Sequence, residues 1–241
     1  MQVDVFLSAN AVAEDDVKGR TAVVIDVFRA SSTIVTALDN GARSIVPVAD
    51  MADAGKIAAA LDPASFVLGG ERGGLKIEGY HHGNSPFEYT ADSVGGKTVI
   101  FNTSNGTRAL TRAKAADHLM VGCFLNADAV TDAVRETGRD LVLICAGSQN
   151  QFSLEDALCA GLLLHRLWDG QEPGLVSDAA HMVFSLFAQD RTSFEQTLTR
   201  SNHGQRLIGL GYGDDVAYCI QRNTTAQVPV YHDNHLRPLT R

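Results

Sequence analysis

The sequence is short of several things, and each shortage removes a class of function. No apolar run in the 241 residues is long enough to span a bilayer. The opening, MQVDVFLSAN, lacks a basic leader, an apolar h-region and a small-residue cleavage site, so no secretory signal is expected. The four cysteines, Cys123, Cys145, Cys159 and Cys219, are widely and irregularly spaced and form no CxxC pair. They predict no disulfide framework, and the expectation is reduced, mostly buried thiols in a cytoplasmic protein. Positive charge is also scarce: 20 basic side chains stand against 28 acidic ones, for a formal net charge of -8. General affinity for nucleic acid or an anionic membrane surface is therefore not expected. Any bound anion must be held by local groups.

What is present is apolar and layered. Hydrophobic residues make up 45% of the chain, enough for a sizeable core. The runs VDVFL, AVVID, SIVPV, FVLGG, TVIFN, LMVGC, LVLIC and VPVY read as strands, continuously apolar as in a sheet covered on both faces. Helical patterns fall at 32–40, 51–61, 107–114, 127–136 and 153–168, then around 177–189, 194–199 and 215–222. The fold class predicted is α/β, three layers α/β/α around a largely parallel or mixed sheet. The chain reads as one domain over 1–241, with DGQEPG at 169–174 as its best internal break.

Three segments repeat one grammar of apolar strand, short polar loop and helix start: AVVID-VFRASS-TIVTAL, TVIFN-TSNGT-RALTRA and LVLIC-AGSQNQF-SLEDALCAGLLL. The repetition is compatible with internal duplication. Loops at the carboxyl ends of parallel strands share one edge, where ligands bind, and each helix start offers free N–H groups and a positive dipole end.

The first loop holds Asp26, Arg29, Ser31, Ser32 and Thr33. Asp26 can hold a metal ion, Arg29 can grip a phosphate or sulfonate, and the hydroxyls can serve the same anion. An ordinary N-cap by Ser31 or Ser32, with Asp26 paired to Arg29, explains one hydroxyl but not the joint arrival of acid and base. In the second loop, Asn105-Gly106 permits left-handed backbone and a concave row of N–H groups, with Ser104, Thr107 and Arg108 alongside. A plain βα turn explains it equally well. The third loop offers Gly147, Ser148, Glu155 and Asp156. There the Ser153 to Asp156 spacing is that of a capping box, and the residues themselves favour a cap. In GGERGGLKIEGYHHGNSP, Glu71 and Arg72 sit between glycine pairs that let backbone approach a ligand, and Asn84 and Ser85 can turn toward a pocket. A surface loop with incidental charges is the competing account. At most one of His81 and His82 reads as a site residue; among the other histidines only His203, near Arg206, draws attention.

Familiar phosphotransfer signatures are absent. SVGGKT lacks the first P-loop glycine, with Ala91 in its place, and precedes a strand. Gln151 occupies the arginine position of a C-x5-R loop headed by Cys145, and Phe28 stands where a D-x-D motif needs its second acid. No H-x-x-x-H or GxSxG occurs. Oxygen ligands without a histidine or cysteine cluster point to Mg²⁺, and metal-activated water is favoured over a phosphoenzyme.

Five motifs, DVFRASST, GGERGG…GYHHGNSP, TSNGT, CAG…FSLEDALCAG and HGQRLIGLGYGDDVAYC, occur in the order and spacing of the 2-phosphosulfolactate phosphatase family, from about residue 2 to about 230. The chain resembles that family throughout. The resemblance implies a layered α/β/α fold peculiar to it and Mg²⁺-dependent hydrolysis of (2R)-2-phospho-3-sulfolactate to 3-sulfolactate and phosphate. In some organisms that step belongs to coenzyme M biosynthesis. It draws attention to Asp26, Arg29, Glu71, Arg72, Asn84, Ser85, Asn105, Gly106, Thr107, Gly147, Glu155 and Asp156. On this reading Asp26 and Glu71 hold metal, and Arg29, Asn105 and Thr107 hold phosphate. Ser31, Ser32, Thr33, Arg72, Asn84, Ser85, Ser104, Gly106 and Gly147 shape the substrate site. Either Glu155 or Asp156 is a further metal ligand or orients water. The alternatives are a phosphatase for another small anionic phosphoester, or a non-catalytic anion-binding regulator. The apolar C-terminal helices can serve a homo-oligomer as well as a core.

Overall fold

A computed structural model describes residues 1–149, 151–171 and 176–240. In chain order the elements are β1 (Val3–Phe6), β2 (Thr21–Ile25), α1 (Ala30–Asp39), β3 (Ser44–Pro47), α2 (Met51–Ala59), β4 (Phe66–Arg72), β5 (Leu75–Lys76), α3 (Ala91–Val94), β6 (Thr98–Asn102) and α4 (Gly106–Ala113). The second half continues with β7 (His118–Gly122), α5 (Ala127–Thr137), β8 (Leu141–Cys145), α6 (Leu154–Leu167), α7 (Asp178–Asp190), α8 (Phe194–Thr199), α9 (Asn202–Gly209), α10 (Gly213–Cys219), β9 (Pro229–His232) and β10 (His235–Pro238).

All the strands join one mixed sheet in the order β1-β8-β2-β7-β9-β10-β3-β6-β4-β5. β2 is central to one parallel group, pairing β8 from Thr21↔Leu141 to Ile25↔Cys145 and β7 from Thr21↔His118 to Ile25↔Gly122. A second parallel group holds β3, β6 and β4. The antiparallel β9-β10 hairpin joins the groups, touching β7 through Met120↔Val230 and β3 through Leu236↔Ile45. Two antiparallel joins and an antiparallel hairpin leave the groups nominally opposed. Strand twist of about 20–25° per step, over the steps from β2 to β6, turns them through roughly 100–125°. The opposition therefore becomes an acute crossing, and the loops after β2, β4 and β6 can reach one place.

Strand alternation builds a core on each face. Val23 and Ile25 of β2 face Leu163 of α6, Val183 of α7 and Phe124. Ala22 and Val24 face the opposite core, with Ile34 and Leu38 of α1 and Leu110 of α4. A smaller cluster sets Ala54 of α2 on Val46 and Ile100. The sheet is thus covered on both faces, as its unbroken apolar runs require, and the architecture is α/β/α.

Every strand and helix read from the sequence is present, with no end shifted by more than three residues. The sequence reading missed β5, β10, α3 and α9. β5 is a two-residue strand, and β10 carries His235, Arg237 and Pro238 around a single buried leucine, Leu236, so it lacks the apolar run that marks the other strands. Half of the break expected at 169–174, positions 172–174, lies outside the described residues.

Candidate active site

The loops after β2, β4, β5, β6 and β8 meet in a pocket of about 140 Å³, the last of them through Ser148 and Gln149. Asp26 and Arg29 form one wall, Glu71 and Asn84 a second, and Ser104 and Asn105, entering α4, a third. His203 and Arg206 of α9 close the fourth side.

Asp26 follows the last residue of β2 and is buried. Burial pushes its carboxyl up to about 7; Glu71 and Glu155 push the same way, while His203 and an N–H bond from Ala30 oppose them. Glu71 is also buried and is fixed at both oxygens: Ser104 N–H donates to Oε1 and Gly74 N–H to Oε2, each at 2.7 Å. It ties the β4-β5 turn to the entry of α4. Asn84 carries a buried Oδ1 with no hydrogen-bond partner among the described residues. Two acids and an unsatisfied amide oxygen thus share one small cavity.

Other expected contacts are used internally. Arg29 lines the pocket, but its Nη1 donates to Asp215 Oδ2 at 2.5 Å and its Nη2 to the Gly74 carbonyl at 2.7 Å. Its guanidinium lies 3.9 Å from the centre of the Tyr212 ring. The pairing of Arg29 with Asp26 considered from the sequence does not occur. Nor does a serine cap on α1: Arg29 is the N-cap residue and no side chain caps. Ser31 Oγ accepts from Asp26 N–H, Ser32 Oγ donates to the Val27 carbonyl, and Thr33 Oγ1 donates to the Asn84 carbonyl. These three hydroxyls shape the loop from behind and do not line the pocket.

Asp156 also stands behind the site. Its Oδ1 accepts from Val27 N–H at 2.8 Å and its Oδ2 from Gly147 N–H at 3.1 Å, bracing the β2 loop against the β8 loop. Burial holds its carboxyl well above the usual range, with Glu155 and Asp26 adding to the shift. Among the described residues no group of three His, Cys, Asp or Glu side chains is arranged to hold a metal, so Asp26, Glu71 and Asp156 do not form a ready-made trio. Ser153 caps α6 by accepting from Asp156 N–H, the bland reading of that loop. Glu155 Oε1 lies 2.6 Å from His203 Nδ1.

Ser85 Oγ donates to Asp215 Oδ1, and Arg72 donates to the carbonyls of Glu71 and Ala49, so neither faces the cavity. Thr107 Oγ1 accepts from Thr103 N–H, and Gly147 lies outside the lining. Neither His81 nor His82 reaches the pocket. The left-handed turn expected at Asn105-Gly106 is absent: Asn105 has φ -116° and ψ -51°, and Gly106 opens α4 without a positive φ. Its lack of a side chain serves closeness, since a Cβ there would lie 2.8 Å from Ala30 Cβ and 3.0 Å from Asp26 Oδ2. Asp215 and Tyr212, which hold Arg29, went unassigned in the sequence reading although GYGDD is a Gly-rich, acidic helix entry.

The sequence model described as 2-phosphosulpholactate phosphatase matches residues 6–234. The chain belongs to this family. A probable 2-phosphosulfolactate phosphatase from Clostridium novyi (strain NT) is 36% identical over 234 residues, covering 96% of this chain and 97% of that protein. One from Symbiobacterium thermophilum is 39% identical over 227 residues, covering 94% and 97%. One from Clostridium acetobutylicum is 36% identical over 236 residues, covering 98% and 100%. Membership in the 2-phosphosulfolactate phosphatase family makes the chain a phosphoric monoester hydrolase. Among the described residues no helix is long and apolar enough to cross a membrane.

The Gly106 contact gives a first expected outcome for a member of this family. Gly106→Ala should fold normally by circular dichroism, yet phosphate release should fall by about 10–100-fold as the loop is pushed off Asp26. Unchanged turnover would show that the close approach is unrelated to activity.

Proposed function

We propose that the chain hydrolyses (2R)-2-phospho-3-sulfolactate to 3-sulfolactate and phosphate with the help of Mg²⁺, in the cytoplasm, at the coenzyme M biosynthetic step. The observation that carries this is the pairing of Asp26 and Glu71 in the same small pocket as the start of α4. Free N–H groups and a positive dipole end favour an anion there. Two carboxylates beside the anion repel it unless a cation stands between them.

The donor chemistry fits Mg²⁺. Asp26, Glu71 and the unpartnered Asn84 Oδ1 are hard oxygen donors around one cavity, and Mg²⁺ binds through one or two carboxylates, waters and substrate phosphate. These three residues would hold it. Mg²⁺ held there would supply Lewis acidity, offsetting charge that develops on the phosphate and easing attack by water. The first turn of α4 and the side chain of Asn105 receive the phosphoryl group, while Arg206 supplies positive charge at the opposite rim. The reading of substrate and pathway is supported by the names of the relatives, and that of the cytoplasm by four buried, unpaired cysteines.

The test is phosphate release from a panel of small phosphoesters, each with Mg²⁺ and with EDTA. Mg²⁺-dependent release, fastest from 2-phosphosulfolactate, is expected. Preference for another ester would replace the substrate, equal release in EDTA would remove the metal, and no release at all would favour the non-catalytic regulator.

A further inference from the structure

His203 is absent from every assignment made so far, yet it sits between two cavities. It lines the pocket of Asp26 and Glu71, and also a neighbouring, more open cavity of about 570 Å³ lined by Glu155, Arg200 and Arg206. Its ring is held from two sides. Nδ1 is 2.6 Å from Glu155 Oε1, and the ring meets Phe28 edge-on, with centroids 6.0 Å apart at 73°. Glu155 is almost wholly buried, so the pair is not a loose surface contact. A carboxylate on Nδ1 takes that N–H and fixes the aim of the ring, leaving Nε2 for chemistry; in the doubly protonated ring Nε2 also carries a proton to give. Among the described residues Nε2 has no hydrogen-bond partner.

Hydrolysis of an alkyl phosphate needs such a group. The leaving oxygen of a secondary alcohol is a poor anion and must gain a proton as its bond to phosphorus breaks. The acids on the Asp26 wall do not supply this role if they hold a cation.

We propose that His203 is a catalytic residue, giving its Nε2 proton to the leaving alcohol oxygen, and that Glu155 is its positioning residue. This rests on the phosphatase reading above. In the step, the water oxygen forms a bond to phosphorus while the phosphorus–alcohol oxygen bond breaks with its electron pair going to the alcohol oxygen. The Nε2 proton passes to that oxygen. The attacking water's proton goes to product phosphate or solvent, and His203 regains a proton from solvent through the open cavity. The sum is ester plus water to alcohol plus phosphate, with no other reactant.

The experiment compares two leaving groups in wild type, His203→Gln, His203→Asn and Glu155→Gln, all with Mg²⁺. One substrate is an alkyl ester, 2-phosphosulfolactate, and the other is p-nitrophenyl phosphate, whose leaving group is stable as an anion. Folding is checked by thermal melting. Both His203 variants should lose about 10²–10⁴-fold in kcat on the alkyl ester and less than about fivefold on the aryl ester. Glu155→Gln should show the same bias with a smaller loss. Equal losses on both esters, in variants that melt normally, would overturn the proton-donor assignment while leaving the phosphatase intact. A wild type inactive on both esters would remove the phosphatase reading, and this assignment with it. His203→Asn serves if His203→Gln does not fold, since it keeps a polar group near the Nδ1 position.

Discussion

Asp26→Asn should abolish turnover and, without metal, make the protein more stable at neutral pH. The ordinary value of the Asp26 carboxyl is 3.8, and burial pushes it to about 7 in the folded chain. Below 3.8 the group is protonated whether folded or unfolded and contributes nothing to the pH dependence. As pH rises, the unfolded chain ionises freely, but the folded chain ionises only against burial and the charges of Glu71 and Glu155. Stability is therefore lost between about pH 4 and pH 7, at up to roughly 1.4 kcal/mol per unit, and the loss is complete above 7. Asparagine never ionises and escapes it. For a chain of this size about 2–4 °C accompanies each kcal/mol, so a gain of several degrees in Tm is expected at pH 8 in EDTA, shrinking toward pH 5. On the Mg²⁺ site proposed above, saturating Mg²⁺ should raise the wild-type Tm and not that of Asp26→Asn, which lacks one of its carboxylates. Phosphate release should fall by at least about 10³-fold. A variant less stable than wild type at pH 8 in EDTA, or one with normal turnover, would show that Asp26 is not a strained acid awaiting a cation.

The same tension explains what was legible in the sequence. An acid at the end of an apolar strand stands out because folding alone gives no reason to bury it, and the structure buries Asp26 in the pocket. Glu71 was legible for a related reason: it sits between glycine pairs at the end of a strand, and the structure brings it to the same cavity. The hydroxyls were harder to place. Ser31, Ser32 and Thr33 are as able to satisfy buried backbone groups as to meet a ligand, and the structure uses all three for backbone. Asp156 similarly spends both oxygens on N–H groups of two loops. What no local pattern discloses is partnership across the chain. Arg29 and Asp215 are separated by 186 positions, as Glu155 and His203 are by 48, and each pair exists only once the sheet has brought its loops together. The β9-β10 hairpin has the same character. VPVY is apolar enough to read as a strand, but its insertion between two parallel groups is registered by single residue pairs, Met120↔Val230 and Leu236↔Ile45, that join segments distant in sequence.

Asp215→Ala should be the most destabilising single change near the pocket. Arg29 and Asp215 are 2% and 5% exposed, so neither charge is screened by water. The pair was formed by giving up hydration at both ends, and the remaining bonds are specific: Asp215 Oδ1 takes Ser85 Oγ at 2.8 Å, and Arg29 keeps the Gly74 carbonyl and the Tyr212 face. Removing the carboxylate leaves a buried guanidinium supported by one carbonyl and one ring. Breaking a buried pair from one side costs about 3–5 kcal/mol, whereas replacing both partners with apolar groups of similar volume is often close to neutral. Asp215→Ala should therefore lower the urea midpoint strongly, and Arg29→Met combined with Asp215→Leu should recover much of the loss. That double variant also isolates the role of Arg29. If it folds and still turns over at the wild-type rate, Arg29 is an anchor for the loop; if it folds and substrate affinity drops, Arg29 contributes charge to the pocket as well. An Asp215→Ala protein with an unchanged midpoint would mean that water enters beside Arg29 and that the pair does not hold the β2 loop against α10.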